Sequence, residues 1–426
     1  MRILHVTQRY WPAMGGSELH MAELSRRLAA DGHAVTVATT DALDFELFWD
    51  PWRRRVAQAN DMVDGVQVLR FPVRHLPLPQ LAYPAWRRML WLLTRTAFPP
   101  TSWVTALSRL TPYVPDLWRW LATTTEPFDL VAGMTICFEP LLAAGLTFAR
   151  RRKLPFVAYP LTHLGAGSAP ASDAISRFYT MRHQVDIVRR SDAVIAQTAT
   201  EQRYYVAQGV PTQRITVAGP GIDPAQVTGG NAEEFRARFA IRGPLVACIG
   251  SMSADKGTTH LVEAVRRLWQ DGVPVHLVLA GALLTPFQHF LDRLSPQDRQ
   301  RLHVLGSIDE VTKQNLLAAA TVFAMPSRTD SFGIAYLEAW LYRKPVIGAQ
   351  TWGIDDVITH GSDGLLAPFG DVSTLAAALH LLITQPALAR AMGDAGRAKV
   401  LARHTWAQKY AITQQVYAQL VARGAI

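Results

Sequence analysis

Cysteine is scarce in this sequence, and its scarcity excludes a fold held together by disulfide bonds. The 426 residues contain only Cys137 and Cys248, and both stand in apolar runs. Two cysteines cannot form a disulfide framework, so we expect two buried thiols in a reducing, cytoplasmic compartment. The first six residues are expected to form a strand and not a signal peptide.

Membrane spans and metal-binding motifs are also missing. The longest apolar run covers residues 130–149, but Glu139-Pro140 interrupts it, and a strand followed by a helix explains it better. The sequence has no Asp-x-Asp pair, no His-Glu-x-x-His motif and no zinc-finger spacing. We therefore expect no metal and no bound cofactor.

The net charge of +9 favours anionic partners such as phosphates or acidic lipid head groups. Most charged runs are only solvated faces, and this remains the default interpretation. No single arginine-rich tail is present, so nucleic acid is not an expected partner. The basic clusters lie at residues 53–55, 87–88, 151–153 and 189–190.

Apolar runs alternate with helical patterns in two successive sets, which predicts an α/β protein with two Rossmann-like domains. Glycine and proline at 217–223 mark the boundary between them. The predicted strands are 2–7, 34–38, 129–132, 156–159, 193–196, 245–250, 275–280, 303–305, 322–325 and 345–348.

Residues 76–122 do not follow this alternation and are rich in Trp, Leu, Pro and Arg. Trp86, Leu90, Leu93 and Ala97 predict an apolar stripe on a helix over 84–97, with the arginines at 87, 88 and 95 lying off the stripe. Two interpretations stay open. The segment is an insertion packed on its own domain, or it is a basic amphipathic surface that touches a membrane or a lipid-linked substrate.

The most informative stretch runs from Asp330 to Glu338. It follows an apolar strand, and Ser331-Phe332-Gly333 stands where a helix begins, so free amides would attract an anion. We expect Glu338 about two turns into that helix, on roughly the same face as Asp330, because eight residues rotate a helix by about 80°.

Three further positions carry candidate chemistry. Gly15-Gly16 follows the first strand and lets a phosphate approach the backbone. Lys256 follows the first strand of the second half and could neutralise a diphosphate, although it is not part of a Walker loop because Asp255 replaces the second glycine. His163 lies just past a strand end, where ligands bind in α/β sheets.

Taken together, these motifs resemble retaining glycosyltransferases of the GT-B fold, and within that group glycosyltransferase family four. The resemblance covers nearly the whole chain except residues 76–122. The motifs are, in order, Gly15-Gly16-x-Glu18, His163, Lys256-Gly257, Asp330-x7-Glu338 and Asp363-Gly364-Leu365-Leu366.

This resemblance implies a domain layout. An acceptor domain would cover 1–218, with the insertion at 76–122, and a nucleotide-sugar domain would cover 219–404. The two would face each other across a deep cleft, and a C-terminal helix over 405–426 would cross back to the first domain.

The resemblance also implies residue roles. His163 would lie beside the donor sugar and the acceptor, Lys256 would neutralise the departing phosphate, and Glu338 would hold the ribose hydroxyls. His163, Lys256 and Asp330 are the expected catalytic residues. The expected donor-binding residues are Gly15, Gly16, Ser251, Lys256, Gly306, Ser307, Ile308, Asp330, Ser331, Phe332, Gly333 and Glu338.

Two positions depart from the family pattern. Ser251 stands where the family usually has Arg, which removes one cation, and Asp330 replaces the usual Glu, which shortens its reach by one methylene. Both changes would weaken or retune donor binding.

The expected function is therefore metal-independent, retaining transfer from a nucleoside diphosphate sugar to a glycan or a lipid-linked acceptor. The alternatives are a phosphorylase or epimerase of the same fold, and a non-catalytic nucleotide-sugar-binding relative. A phosphorylase would need a cationic pocket for free phosphate, which Ser251 disfavours. The expected location is the cytoplasm, with peripheral contact at the inner face of the membrane through 76–122.

Overall fold

The computed structural model describes residues 1–13 and 15–424, and the chain divides into two compact units. The first unit comprises residues 1–164, 171–219 and the chain from 409 onward, and the second comprises 165–170 and 220–408. These units differ from the expected domains at residues 165–170 and 405–408, which belong to the second unit, and at Gly219, which belongs to the first.

The first unit is built on an eight-stranded sheet of order β3-β4-β2-β1-β5-β6-β7-β8, parallel except for the antiparallel pair β3 and β4. Its central strands are buried along their whole length, as expected for a parallel sheet covered on both faces. The strands are β1 (Arg2–Val6), β2 (Ala34–Thr40), β3 (Asn60–Val63), β4 (Val66–Phe71), β5 (Leu130–Met134), β6 (Phe156–Tyr159), β7 (Ala193–Ala196) and β8 (Ile215–Val217).

Among the described residues, seven α-helices of the first unit lie between these strands. The run at 130–149 is a strand followed by a helix, as its interrupted apolar pattern predicts. The helices are α1 (Gly16–Ala30), α2 (Pro79–Leu93), α3 (Thr101–Ser108), α4 (Pro115–Thr123), α5 (Glu139–Arg152), α6 (Arg182–Arg189) and α7 (Ala199–Ala207).

The second unit is built on a six-stranded, fully parallel sheet of order β11-β10-β9-β12-β13-β14. This order is that of a doubly wound nucleotide-binding sheet, in which the chain reverses its winding direction between β9 and β12. The strands are β9 (Leu245–Ile249), β10 (His276–Ala280), β11 (Leu302–Gly306), β12 (Val322–Met325), β13 (Val346–Gln350) and β14 (Gly364–Pro368).

Helices cover this second sheet on both faces, and Trp340 and Leu379 are among the side chains they bury completely. The helices are α8 (Ala232–Arg238), α9 (Thr258–Gln270), α10 (Thr285–Asp292), α11 (Pro296–Arg299), α12 (Glu310–Ala319), α13 (Ile334–Leu341), α14 (Ile354–Val357), α15 (Val372–Thr384) and α16 (Pro386–Arg403).

The last helix, α17 (Trp406–Gly424), packs against the first unit through a buried polar network. The hydroxyl of Tyr417 lies 3.2 Å from Nε2 of His5 and accepts a hydrogen bond from Tyr159 at 3.0 Å. The hydroxyl of Ser25 lies 2.8 Å from Nδ1 of His5. Complete burial lowers the pKa of His5 to about 3, so its imidazole is neutral in the folded protein.

Among the described residues, no single helix has the length and apolar composition needed to cross a membrane. The helices α15 and α16 pass that test only when taken together, and they are bent by 100° where they meet.

Candidate functional site

The winding reversal in the second sheet brings two of the predicted motifs together. Strands β9 and β12 are hydrogen-bonded neighbours, and the loops that leave their carboxyl ends carry Lys256 and Asp330. In doubly wound sheets the connections on either side of such a reversal run to opposite faces and leave a crevice for ligands. The predicted lysine and carboxylate therefore lie where this fold binds its ligand.

Two ion pairs join these loops. Nζ of Lys256 lies 2.9 Å from Oδ1 of Asp330, and Nη2 of Arg328 lies 2.6 Å from Oδ1 of Asp255. Adjacent residues of one loop thus pair with nearly adjacent residues of the other. The Lys256 and Asp330 side chains are only 23% and 18% exposed, so water screens this pair incompletely.

Gly257 explains how the loops come so close. Its backbone has φ of +70°, which glycine adopts without strain, and a Cβ at this position would lie 2.0 Å from the carbonyl oxygen of Pro326. The glycine after Lys256 is thus a steric requirement of the contact between the two loops, and it fixes Lys256 opposite Asp330.

The loop after β12 ends at the start of α13, as the sequence predicts. Gly333 is the N-cap with φ of +83°, and Tyr336 in the first turn donates its hydroxyl proton to the carbonyl of Met325. The Phe332 ring is buried against His404, so this residue can offer a ligand only its backbone. Backbone amides at the start of a helix lack the full set of intrahelical partners, so the first turn of α13 is a place where an anion can bind.

Glu338 lies nearer the start of that helix than its sequence position suggested. It is the fifth residue of α13, about one turn in, because the helix begins only at Ile334. Its Oε1 lies 2.6 Å from Nζ of Lys313 on α12. Burial raises the pKa of Glu338, and the positive charge of Lys313 reduces this rise without cancelling it. Burial also tends to lower the pKa of Lys313, but the Glu338 carboxylate outweighs burial and raises it.

The remaining predicted residues of the second unit lie on strand ends. Ser251 is half-buried two residues after β9, and Gly306 is the last residue of β11, where its carbonyl accepts a hydrogen bond from Gly281 at 2.7 Å. Ser307 is exposed, and Ile308 packs on the apolar core.

Gly15 and Gly16 lie in the first unit at the start of α1, above a buried ion pair that the sequence did not reveal. Nη2 of Arg9 lies 2.8 Å from Oε1 of Glu18, and both side chains are less than 10% exposed. A Cβ on Gly15 would lie 2.3 Å from Oε2 of Glu18. Gly15 thus leaves room for the Glu18 carboxylate, which holds the Arg9 guanidinium beneath the exposed glycines.

His163 follows β6 in the first unit and is half-buried. Its ring stacks on Tyr179, with ring centres 4.4 Å apart and planes inclined by 10°. Burial raises the pKa of Tyr179 well above its ordinary value, so its hydroxyl stays protonated.

The segment at 76–122 forms three helices, α2 to α4, and two expectations about it are wrong. Arg87 does not lie off the apolar stripe in solvent but is buried, with Nη1 2.5 Å from Oε1 of the fully buried Glu139. Helix α2 also ends at Leu93, so Ala97 lies outside it and is exposed. The sequence pattern contains no hint of the partner, because Glu139 is 52 residues away.

The helices α2 and α3, with the connection between them, also expose large apolar side chains. We call this set the outer apolar patch: Leu81, Leu92, Phe98, Trp103 and Leu107. The exposed fractions of Leu81, Phe98 and Trp103 are 71%, 73% and 63%. Arg88 and Arg95 are exposed on the same segment.

The second unit therefore offers Lys256 and Asp330 at the winding reversal of its sheet, with Glu338 on the helix that follows, a set suited to a diphosphate and its attached sugars. Three functional candidates were missed from the sequence: Lys313, Arg9 and Tyr179. Lys313 and Tyr179 act through partners 25 and 16 residues away on other elements, which local spacing does not reveal. Arg9 pairs with Glu18 only nine residues away, but an arginine in a loop carries no sequence signal of burial.

Family comparisons identify relatives of both halves. The model described as Glycosyltransferase Family 4 matches residues 14–226, which is half of the chain, and the model described as Glycosyl transferases group 1 matches residues 231–399.

Among curated proteins, the chain is 30% identical over 209 residues to the GDP-mannose-dependent monoacylated alpha-(1-6)-phosphatidylinositol monomannoside mannosyltransferase of Corynebacterium glutamicum, covering 47% of this chain and 52% of that protein. It is 31% identical over 259 residues to the alpha-maltose-1-phosphate synthase of Mycolicibacterium smegmatis, covering 55% and 65%. The chain thus matches roughly half to two thirds of the length of these relatives. A glycogen synthase of Mycobacterium tuberculosis is 26% identical over 424 residues, covering 98% and 94%.

Solved structures share the fold across the chain. The Anabaena protein HepE in complex with UDP matches with a TM-score of 0.68 and 20% identity, covering 99% of this chain and 100% of that chain. Sucrose-phosphate synthase from Thermosynechococcus elongatus matches with a TM-score of 0.71 and 19% identity, covering 99% and 100%. These likenesses confirm the predicted α/β fold with two parallel-sheet domains, the GT-B fold.

Proposed function

Because the chain belongs to glycosyltransferase family 4, we propose that it transfers a sugar from a nucleoside diphosphate sugar to an acceptor hydroxyl, with retention at the anomeric carbon and without a metal. The observation that carries this proposal is the pairing of Lys256 with Asp330 at the winding reversal of the second sheet. The second unit would hold the donor, and His163 of the first unit would serve the acceptor side.

The proposed chemistry is a front-side substitution. The bond between the anomeric carbon and the leaving phosphate oxygen breaks while the acceptor oxygen bonds to the same face of that carbon. The acceptor proton passes to the leaving oxygen, so the protein's main task is to stabilise the negative charge that grows on the diphosphate.

Lys256 and the first turn of α13 would supply that stabilisation. In the structure Lys256 is already held by Asp330, so its ammonium group is fixed before a donor arrives. Such preorganisation lowers the reorganisation needed during the reaction. Asp330 would contact the donor sugar, and Glu338, fixed by Lys313, would bind the ribose hydroxyls.

Metal independence rests on the same groups, because a lysine and helix amides can balance a diphosphate without a divalent ion. Transfer rates with EDTA and with added Mg²⁺ or Mn²⁺ would test this part. The proposal expects equal rates, and a rate that vanishes with EDTA and returns with the metal would overturn it.

Transfer and stereochemistry are tested together. The protein would be incubated with UDP-, GDP- and ADP-sugars and candidate glycan and glycolipid acceptors, and the product's anomeric configuration would be read by NMR. We expect the anomeric carbon of the transferred sugar to have the same configuration in the product as in the donor. An inverted product would refute retention, and donor binding without transfer or slow hydrolysis would favour a non-catalytic binding protein.

The outer apolar patch supports a lipid-linked acceptor and peripheral contact with a membrane. Exposed Leu, Phe and Trp side chains next to arginines are typical of surfaces that bind the interface of anionic bilayers. The Corynebacterium relative named above is described as acting on a phosphatidylinositol glycolipid.

Vesicle sedimentation tests this contact. Substituting both Leu81 and Trp103 by serine should abolish co-sedimentation with vesicles containing acidic lipids and leave transfer to a short soluble acceptor unchanged. Trp52, which is 90% exposed outside the patch, offers a matched control as Trp52→Ser. Unchanged sedimentation of the double variant would refute membrane contact through this surface.

A further inference from the structure

The ring of His163 is held by a neighbour that the proposed reaction does not itself use. Tyr179 lies almost parallel to it, with centroids 4.4 Å apart. This residue directly follows a short 3₁₀ helix, Ser176–Phe178, in a segment without strands. A ring placed on such a segment stays in position only if its backbone is fixed from elsewhere.

Two side chains fix that backbone at the residue before Tyr179. The carbonyl oxygen of Phe178 accepts hydrogen bonds from Nη2 of Arg87 at 3.2 Å and from Nε2 of Gln184 at 2.9 Å. Gln184 also accepts a hydrogen bond from the backbone N–H of Met181 through its side-chain oxygen at 2.8 Å. The segment from 178 to 184 is therefore closed on itself and attached to helix α2, which carries Arg87.

Glu139 anchors both donors. It is fully buried at the start of α5, and its carboxylate contacts Arg87 at 2.5 Å, Nε2 of His183 at 3.0 Å and Nε2 of Gln184 at 3.1 Å. Burial alone would raise the pKa of Glu139, but Arg87 and His183 hold it below its ordinary value. The charge is thus paired and hydrogen-bonded, as a buried carboxylate has to be.

From these contacts we infer that Tyr179 is a positioning residue for His163, held in place by Arg87, Gln184 and Glu139. The inference rests on the proposed function for its effect on transfer, but its geometry does not depend on that function. It also means that helix α2 is linked to His163, since Arg87 of α2 holds the backbone before Tyr179 and Tyr179 stacks on His163.

The physical basis is the orientation of one ring. Two stacked rings restrict the rotation of the imidazole about its side-chain bonds, and reacting groups that are displaced by about 1 Å can slow a reaction about 100-fold. Loss of Tyr179 should therefore act on turnover and not on donor binding. Tyr179→Phe keeps the ring and should behave as the native protein.

A double-mutant cycle tests the inference in transfer assays on the full chain. We expect Tyr179→Ala to lower kcat tenfold or more with the KM for donor changed less than twofold, and Tyr179→Phe to stay within threefold of native. In the His163→Ala background, Tyr179→Ala should have no further effect. Additive losses, or a native rate for Tyr179→Ala while His163→Ala is impaired, would overturn the inference.

Arg87→Lys extends the test to the hydrogen bonds that hold the Tyr179 segment. Lysine keeps the positive charge but cannot donate to the Glu139 carboxylate and the Phe178 carbonyl at the same time, as the two Nη atoms of Arg87 do. We expect a smaller loss of kcat, about threefold to tenfold. Arg119→Met is the matched control, since Arg119 forms an exposed ion pair with Asp116 on α4 of the same segment. A control loss equal to that of Arg87→Lys would overturn the role of the anchor.

A spectroscopic readout separates this inference from the proposed function. The stacked Tyr179 ring should shift the ring proton resonances of His163 upfield in histidine-labelled protein without substrate. Tyr179→Leu should remove that shift, Tyr179→Phe should retain it, and thermal melts would identify a variant that fails to fold. If His163 resonances do not respond to Tyr179→Leu, the stacking account fails even when transfer is observed. If they respond but no donor is ever used, the proposed function fails alone.

Discussion

Replacing Lys256 by methionine is the perturbation that bears most directly on the proposed chemistry. The change keeps most of the side chain's length and apolar stem but removes its charge, and Asp330 loses a partner 2.9 Å away. Any stabilisation that Lys256 gives to the departing diphosphate is then lost, while the two sheets and their cores are untouched.

The size of the effect follows from the burial of the pair. Exposed ion pairs contribute about 0–1 kcal/mol, but Lys256 and Asp330 are only 23% and 18% exposed. A hydrogen bond to a charged group is worth about 1.5–3 kcal/mol under such conditions. If Lys256 makes that contact with the leaving phosphate in the transition state, its loss should lower kcat by about 10-fold to 150-fold.

The assay is the initial rate of nucleoside diphosphate release at saturating donor and acceptor. Arg343→Met is the matched control, because Arg343 forms an exposed ion pair with Asp394 at 2.7 Å in the same unit. We expect the control to stay within about twofold of native, as surface pairs contribute little. A near-native kcat for Lys256→Met would refute the assignment of Lys256 to the leaving group.

Three further predictions concern the supports of the site and the fold. Gly257→Ala should destabilise the second unit by about 2 kcal/mol or more in urea unfolding and impair transfer, because the new Cβ would lie 2.0 Å from a backbone oxygen. The control is Gly272→Ala, which is also at positive φ but has open space around it and should destabilise the protein by only about 1 kcal/mol. Equal costs would contradict the steric argument. Lys313→Met should raise the pKa of Glu338 further, because the positive charge beside the carboxylate is lost. The donor Kd should then increase more steeply than in the native protein as the pH falls from 8 to 6, since a protonated Glu338 binds the ribose hydroxyls less well. Parallel pH profiles for the two proteins would exclude a role for Lys313 in keeping Glu338 ionised. His5 has a pKa lowered to about 3 in the folded state against about 6.5 unfolded, so its contribution to stability is present above about pH 6.5 and declines as the pH falls below that value. At pH 5, protonation of His5 in the unfolded state should lower the free energy of unfolding by about 2 kcal/mol relative to high pH. His5→Gln should reduce the pH dependence of the free energy of unfolding by that amount. An unchanged pH dependence would show that His5 does not cause it.

Most of the parallel strands were predictable because each is a short apolar run bounded by turn residues, although the three-residue strand Ile215–Val217 was not predicted. Strands such as Phe156–Tyr159 and Val322–Met325 were placed to the residue. The hairpin of β3 and β4 was missed because β3 is the edge strand and both strands mix polar with apolar residues. The final strand β14 was not predicted because it begins with glycine and ends with proline, residues that usually mark turns.

The site was predictable where it depends on local sequence. Lys256 and Asp330 follow neighbouring strands, so the fold alone brings them together. Lys313 and Arg87 could not be assigned, since their partners are 25 and 52 residues away and on other helices. Amphipathic periodicity placed Arg87 on a solvent face, but the helix α2 is covered on that side by the rest of its unit.

The central claim, that the second unit binds a nucleoside diphosphate sugar through Lys256 and helix amides, is tested most directly by donor-induced thermal stabilisation. The native protein and Lys256→Met would be melted with UDP-, GDP- and ADP-sugars, in EDTA and with a divalent metal. A ligand present at 100 times its Kd stabilises a protein by about 2.7 kcal/mol, which a melting curve resolves. The account predicts a shift with one class of donor that is the same with and without metal and is largely lost in Lys256→Met. No shift with any donor, or an equal shift in the variant, would contradict it.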